Sequence, residues 1–133
     1  MEKERIGIIS LGCPRNMVDS ELILGKLKAR GFIIADEIKD CSIAIINTCG
    51  FIEDAKREAI DVIMQAAALK KENAIKKLIV CGCLGQRYAK DLKKDIPEID
   101  AVLGIDGFKN IDEAVNSVLA DKKFIDINPP KNL

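Results

Sequence analysis

The chain has 133 residues, 48% hydrophobic and 32% charged, which is enough for one domain with its own core and too few for two of ordinary size. Charge above the roughly 25% of an average soluble protein, with ordinary apolar content, excludes a membrane span, a collagen-like repeat and a disordered tail. Lys and Arg number 21 against 21 Asp and Glu, and Tyr88 and four Phe are the only aromatic residues, so neither a net field nor a stacking platform favours direct binding of nucleic acid.

Taken in chain order, Arg5 to Leu11 is a short apolar run with Ile6, Ile8 and Ile9, and it reads as a strand stopped by Gly12. Asn16 to Arg30 reads as a helix with Met17, Leu24 and Leu27 on its inner side, Val18 and Leu22 beside them, and Gly31 as its C-terminal stop. Phe32 to Ile34 is extended, Ser42 to Asn47 is a second continuous apolar strand, and Ile52 to Lys70 is the longest helix. Ile52, Ala55, Ala59, Ile60, Ile63 and Ala67 are spaced for one buried face of that helix, and Glu53 and Asp54 suit its N-terminal dipole. Leu78 to Val80 is a third buried strand, a short helix around Gln86 to Lys94 is ended by Pro97, and Ala101 to Leu103 is a further strand. Ile111, Ala114, Val115 and Val118 outline a last helix, Phe124 to Ile127 is extended, and Asn128-Pro129-Pro130-Lys131 reads as a linker. Continuous apolar strands alternating with helices predict a three-layer, doubly wound α/β domain over residues 1–127, with a mainly parallel sheet covered by helices on both faces. Residues 128–133 are the linker.

There is no His, which removes Ser-His and Cys-His catalysis, His-ligated zinc and the usual imidazole proton shuttle. Chemistry falls to cysteines 13, 41, 49, 81 and 83. Met1 to Arg5 does not lead into a long apolar segment with a small-residue cleavage site, so a cytoplasmic location is expected. In that reducing compartment an odd number of cysteines argues against a disulfide framework and for metal or redox use. Cys13, Cys49 and Cys83 each follow a predicted strand, roughly 35 residues apart, the length of a β-α-β unit. Right-handed crossovers bring the carboxyl ends of parallel strands to one edge of the sheet, so the three thiols are expected to converge there.

Gly12, Gly50, Gly82 and Gly85 flank the three positions and permit the close, irregular backbone approach that a cofactor held on loops requires. Three thiolates without His make a soft site suited to iron–sulfur or zinc, and a [4Fe–4S] cluster held by only three Cys would keep one iron open. Buried apolar filling is the competing use of any cysteine. It is the expected role of Cys41, which precedes its strand, and of Cys81, which falls within one; for the other three both uses stand. Cys81-Gly82-Cys83 is too close a pair for an unstrained disulfide.

The residues around these cysteines carry a resemblance. Ser10-Leu11-Gly12-Cys13-Pro14-Arg15-Asn16-Met17-Val18-Asp19-Ser20-Glu21, Asn47-Thr48-Cys49-Gly50-Phe51-Ile52 and Gly82-Cys83-Leu84-Gly85-Gln86-Arg87-Tyr88 resemble, in order and separation, three blocks of the N-terminal domain of the radical-SAM methylthiotransferases. The wording of the first two blocks is similar to members that modify an aspartate of a small-subunit ribosomal protein rather than a tRNA, with Arg15 where Lys is commoner. The resemblance implies an auxiliary [4Fe–4S] cluster on Cys13, Cys49 and Cys83, whose open iron takes the sulfur-donor ligand. It also implies S-adenosyl-L-methionine and a second [4Fe–4S] cluster in a following domain, whose C-x3-C-x2-C motif is absent here. The partners implied are that radical-SAM domain, a C-terminal domain and the ribosomal protein substrate, with no membrane. The full protein is then a methylthiotransferase, and this fragment holds no catalytic residue and is not expected to turn over alone.

Other polar residues have plainer uses. Asn16 and Asn47 flank ligand candidates and are placed to hydrogen-bond a cluster or donor sulfur, and Asn16 equally suits a helix cap. Arg87 suits a solvated helix face, and Asp19 and Glu21 suit first-turn acids. Two alternative functions remain: a tRNA methylthiotransferase domain of the same family, and a non-catalytic flavodoxin-like binding module. Against the second, no G-x-G-x-x-G or G-x-x-x-x-G-K-[ST] loop follows any strand.

Overall fold

β-branched runs in the chain make strands and the stripes between them make helices, and a computed structural model describes residues 5–10, 14–35, 41–48, 53–82, 94–104, 111–120, 122 and 124–126. Within them run β1 (Arg5–Ser10), α1 (Pro14–Ala29), β2 (Ile33–Ile34), β3 (Ile43–Thr48), α2 (Glu53–Lys71), β4 (Lys77–Gly82), β5 (Ala101–Leu103), α3 (Ile111–Leu119) and β6 (Phe124–Asp126). The six strands form one sheet in the order β2-β1-β3-β4-β5-β6, and every pairing is parallel. This is the flavodoxin-like order with a sixth strand added, and its direction of winding reverses between β1 and β3.

Side-chain alternation along the strands builds two cores. Ala44, Ile46, Leu78, Val80 and Val102 pack on one face with Ala59, Ile63, Ala66 and Ala67 of α2. Ile43, Ile45, Ile79, Ala101 and Leu103 pack on the other with Ile23 and Leu27 of α1 and with Ile111, Ala114, Val115 and Val118 of α3. The expected three-layer α/β arrangement is therefore the one observed. All six residues of β3 are buried, as a strand covered on both faces requires.

The register of α1 departs from expectation. Ile23 and Leu27, one turn apart, are buried, whereas Leu22, expected near the inner side, is half exposed at 49%. Apolar residues at 22, 23, 24 and 27 surround much of this helix, so periodicity alone does not set its rotation; packing against the sheet and α3 does. The helix also starts at Pro14, where a residue without an N–H fits the first turn. Asn16 thus lies inside the first turn and is not the cap, and Asp19 and Glu21 lie beyond it, so the dipole reading of those two acids does not hold.

Both long helices end on a left-handed residue that closes the chain back on itself. At α1, Gly31 has φ 93°, its N–H donates to the Lys28 carbonyl at 3.0 Å, and the Phe32 N–H donates to the Leu27 carbonyl at 3.1 Å. At α2, Asn73 has φ 63°, with Asn73 N–H on the Lys70 carbonyl at 3.0 Å and Ala74 N–H on the Leu69 carbonyl at 2.9 Å. These paired bonds satisfy the carbonyls a helix leaves open and aim the chain back to the next strand.

The amino edge of the sheet is tied by charge. Asp100, 5% exposed, accepts hydrogen bonds from Lys70 Nζ at 2.7 Å and from the Leu78 N–H at 2.9 Å. Lys70 Nζ also donates to the Glu98 carbonyl at 2.8 Å, and Lys71 Nζ lies 3.2 Å from Glu98 Oε1. The Glu98 carboxyl is held below its ordinary value first by a backbone hydrogen bond and then by the Lys71 ammonium. The expected helix around Gln86 to Lys94 lies almost entirely outside the described residues, with 94 and 95 helical and Pro97 in the turn beyond. Ile127 and the linker also lie outside them.

Candidate functional site

In a parallel sheet the carboxyl ends of all strands share an edge, and here three neighbours deliver the chain to cysteines. β1, β3 and β4 are consecutive in the sheet. β1 ends at Ser10, three residues before Cys13; β3 ends at Thr48, directly before Cys49; β4 ends at Gly82, directly before Cys83. The ends are level: Ser10 pairs with Asn47, Asn47 with Cys81, and Thr48 with Gly82. Cys13, Cys49, Cys83 and Arg87 themselves lie outside the described residues. Among the described residues no group of three or more His, Cys, Asp or Glu is arranged to hold a metal ion.

The two remaining cysteines have the structural roles expected of them. Cys41 is 4% exposed, precedes β3 at the amino edge and packs in the α2 core. Cys81 is 2% exposed within β4 and packs in the opposite core. Its Sγ donates a weak hydrogen bond to Asn47 Oδ1 at 3.8 Å, and Asn47 is itself buried at 3%. Asn47 therefore ties β3 to β4 one residue below the strand ends.

The contact between the last residues of β3 and β4 is closer still. Thr48 is wholly buried, and its hydroxyl donates to the Cys81 carbonyl at 2.8 Å. Gly82 has φ 98°, and a Cβ there would lie 2.3 Å from the Thr48 carbonyl oxygen, 2.9 Å from Asn47 Oδ1 and 3.0 Å from the Thr48 nitrogen. Only glycine fits, both for its backbone angle and for its neighbours. The sequence suggests for Gly82 a close backbone approach to a cofactor; the close approach seen in the structure is to Thr48 of the neighbouring strand. The part played by Thr48 has no signal in the sequence, where a Thr at the end of a strand is ordinary.

A doubly wound α/β domain in which three adjacent parallel strands are each followed in sequence by a cysteine is the class defined by these features. The model of the family described as Uncharacterized protein family UPF0004 matches residues 5–104, and the chain belongs to that family. It is 46% identical over 120 residues to a protein of Acetivibrio thermocellus, 49% over 115 residues to one of Natranaerobius thermophilus and 50% over 117 residues to one of Desulforamulus reducens. Each of these relatives is named Ribosomal protein uS12 methylthiotransferase RimO, and the matches cover 90%, 86% and 88% of this chain. The resemblance read from the three cysteine blocks, to the N-terminal domain of such methylthiotransferases, is therefore upheld over most of the chain. The chain spans about a quarter of the length of these relatives, 26% in each case. No described helix is long and apolar enough to cross a membrane.

Proposed function

We propose that this chain is the cluster-bearing N-terminal domain of a methylthiotransferase that modifies an aspartate of the small-subunit ribosomal protein uS12. The observation that carries the reading is the adjacency of β1, β3 and β4, with paired final residues leading straight into Cys49 and Cys83. Neighbouring strands lie about 4.8 Å apart, so cysteines that follow them start within reach of one small inorganic group. The donor set fits: three soft thiolates and no His suit iron and sulfide better than a hard cation. Cys13, Cys49 and Cys83 would hold a [4Fe–4S] cluster, which when bound supplies an iron with an open position for an exogenous sulfur ligand.

The chain's own residues bind and orient. β1, β3 and β4 lead to the ligand cysteines at one edge of the sheet, which is packed by an apolar core on each face. The backbone ladder that pairs Asn47 with Cys81 and Thr48 with Gly82 keeps the two middle strands level below the site. Residues 1–127 form the domain in this reading, and 128–133 lead to a radical-SAM domain carrying S-adenosyl-L-methionine and a second cluster. A C-terminal domain and uS12 complete the partners, and the protein works in the cytoplasm. The names of the relatives specify a ribosomal protein, which favours that substrate over tRNA.

Anaerobic reconstitution with iron and sulfide tests the proposal. About four irons per chain are expected, as a single [4Fe–4S] cluster requires. A chain that takes up no iron under these conditions, or takes up zinc in its place at one ion per chain, refutes it. Sequencing the gene beyond residue 133 is the companion test, and a C-x3-C-x2-C motif is expected there.

A further inference from the structure

Four residues at the junction of β3 and β4 are more tightly held than strand pairing alone requires. The ladder already pairs Asn47 with Cys81 and Thr48 with Gly82. The Thr48 hydroxyl adds a bond to the Cys81 carbonyl at 2.8 Å. The Cys81 thiol adds a weak one to Asn47 Oδ1 at 3.8 Å. By alternation Thr48 belongs to the face of Ala44 and Ile46, and Asn47 to the face of Ile43 and Ile45. The two bonds therefore span the strand pair from opposite faces. Gly82 then turns at φ 98°, where the Thr48 backbone leaves no room for a Cβ.

This turn has a consequence for the ladder. A residue at φ 98° leaves regular strand geometry, so the Cys81 carbonyl sits where the sheet hydrogen bonding is ending. A buried carbonyl needs a donor, and the Thr48 hydroxyl is one supplied from the residue just before Cys49. The donor and the acceptor are each within two residues of a proposed ligand, and both are fully buried: Thr48 at 0% and Cys81 at 2% exposed. The hydroxyl thus links the backbone that precedes Cys49 to the backbone that precedes Cys83.

We propose that Thr48 is a positioning residue: its hydroxyl, bonded to the Cys81 carbonyl, sets the separation at which β3 and β4 hand the chain to Cys49 and Cys83, and so governs how firmly those two thiols share one ligand. The inference rests on the proposed cluster site and extends it to a residue that touches no ligand. Groups that orient ligands from behind typically change metal affinity by about 10–100-fold when removed. Thr48→Val removes the hydroxyl and keeps the shape, Thr48→Ser keeps the hydroxyl, and Cys81→Ala keeps the carbonyl that the hydroxyl needs.

Two readouts on the full chain test it. In the first, reconstituted Thr48→Val loses iron to a chelator at least about tenfold faster than the parent and shows an altered paramagnetic resonance signal when reduced. Thr48→Ser and Cys81→Ala stay close to the parent. In the second, the iron-free chain carrying Cys13→Ser is titrated with phenylarsine oxide, which bridges two thiols with loss of one water. Its binding weakens in Thr48→Val and recovers in Thr48→Ser, at temperatures where circular dichroism shows each variant folded. Thr48→Val that retains iron and binds the arsenical as the parent does overturns the proposal. A parent that shows Thr48-dependent arsenical binding but takes up no iron upholds the positioning role while refuting the cluster, and a parent that binds neither refutes both.

Discussion

Replacing Gly82 by Ala is the sharpest test of the strand-end geometry, because two penalties act there and a second glycine separates them. A non-glycine residue at positive φ costs about 1–3 kcal/mol. The new Cβ would also meet the Thr48 carbonyl oxygen at 2.3 Å, a backbone atom fixed by the β3–β4 ladder, and forced overpacking costs about 1–3 kcal/mol more. Reduced freedom of the unfolded chain returns about 0.4–1 kcal/mol, so the expected loss is about 2–5 kcal/mol. With about 2.1 cal/mol/K of unfolding entropy per residue over 133 residues, that lowers Tm by about 7–18 °C.

Gly31 supplies the control. Its φ is 93°, but nothing lies within 4 Å of the place a Cβ would take, so Gly31→Ala carries the same backbone penalty of about 1–3 kcal/mol without the overpacking. Gly25, exposed within α1 and with open space around it, should gain about 0.5–1 kcal/mol as Ala through helix propensity. Urea and thermal unfolding of the three variants should therefore rank Gly25→Ala above the parent, Gly31→Ala below it and Gly82→Ala lowest. If Gly82→Ala is no less stable than Gly31→Ala, the strand ends are not in the close contact described and the reasoning fails.

Further predictions address the cysteines and the opposite edge of the sheet. Cys13→Ala, Cys49→Ala and Cys83→Ala should each abolish stable iron incorporation, whereas Cys41→Ala and Cys81→Ala should keep it; equal loss from all five would refute the ligand assignment. Asp100→Ala takes the carboxylate acceptor from the buried Leu78 N–H and the counter-charge from the Lys70 ammonium, which keeps its bond to the Glu98 carbonyl. It should cost about 2–4 kcal/mol in urea unfolding, and an unchanged midpoint would show that the cluster of charge at the amino edge contributes nothing. Because the folded-state pKa of Glu98 lies below 4.5, its contribution to stability is present above pH 4.5 and is lost as pH falls through the lower folded value. The stability gap between the parent and Glu98→Gln should accordingly close in acid and be constant near neutrality, and a gap that persists at pH 2 would contradict the assignment.

Much of the architecture is legible in particular residues. Ile111, Ala114, Val115 and Val118 were spaced for one face of a helix, and all four are wholly buried, because a single narrow stripe leaves a helix only one way to face a sheet. Gly31 marked the end of α1, because no other common residue adopts its backbone angle so cheaply. The continuous runs at Ile43 to Ile46 and Leu78 to Val80 marked strands covered on both sides. Cysteines placed after strands marked a candidate edge, since parallel strands must end together.

Only the tertiary structure decided the rest. Strand composition does not say that β1 separates β2 from β3, because apolar runs of Ile and Val pair equally well in several orders and the crossovers select among them. The rotation of α1, which buries Ile23 and exposes Leu22, was set by packing where the helix is apolar on more than one side. Nothing in the sequence marks Asp100 for burial, which depends on Lys70, distant in sequence and within reach only once α2 and β5 are in place. Thr48 and Gly82 gain their meaning in the same way. Local sequence determines periodicity and turns because those depend on near neighbours, whereas the hydroxyl of one strand finds the carbonyl of the next only once a long crossover has returned the chain alongside it.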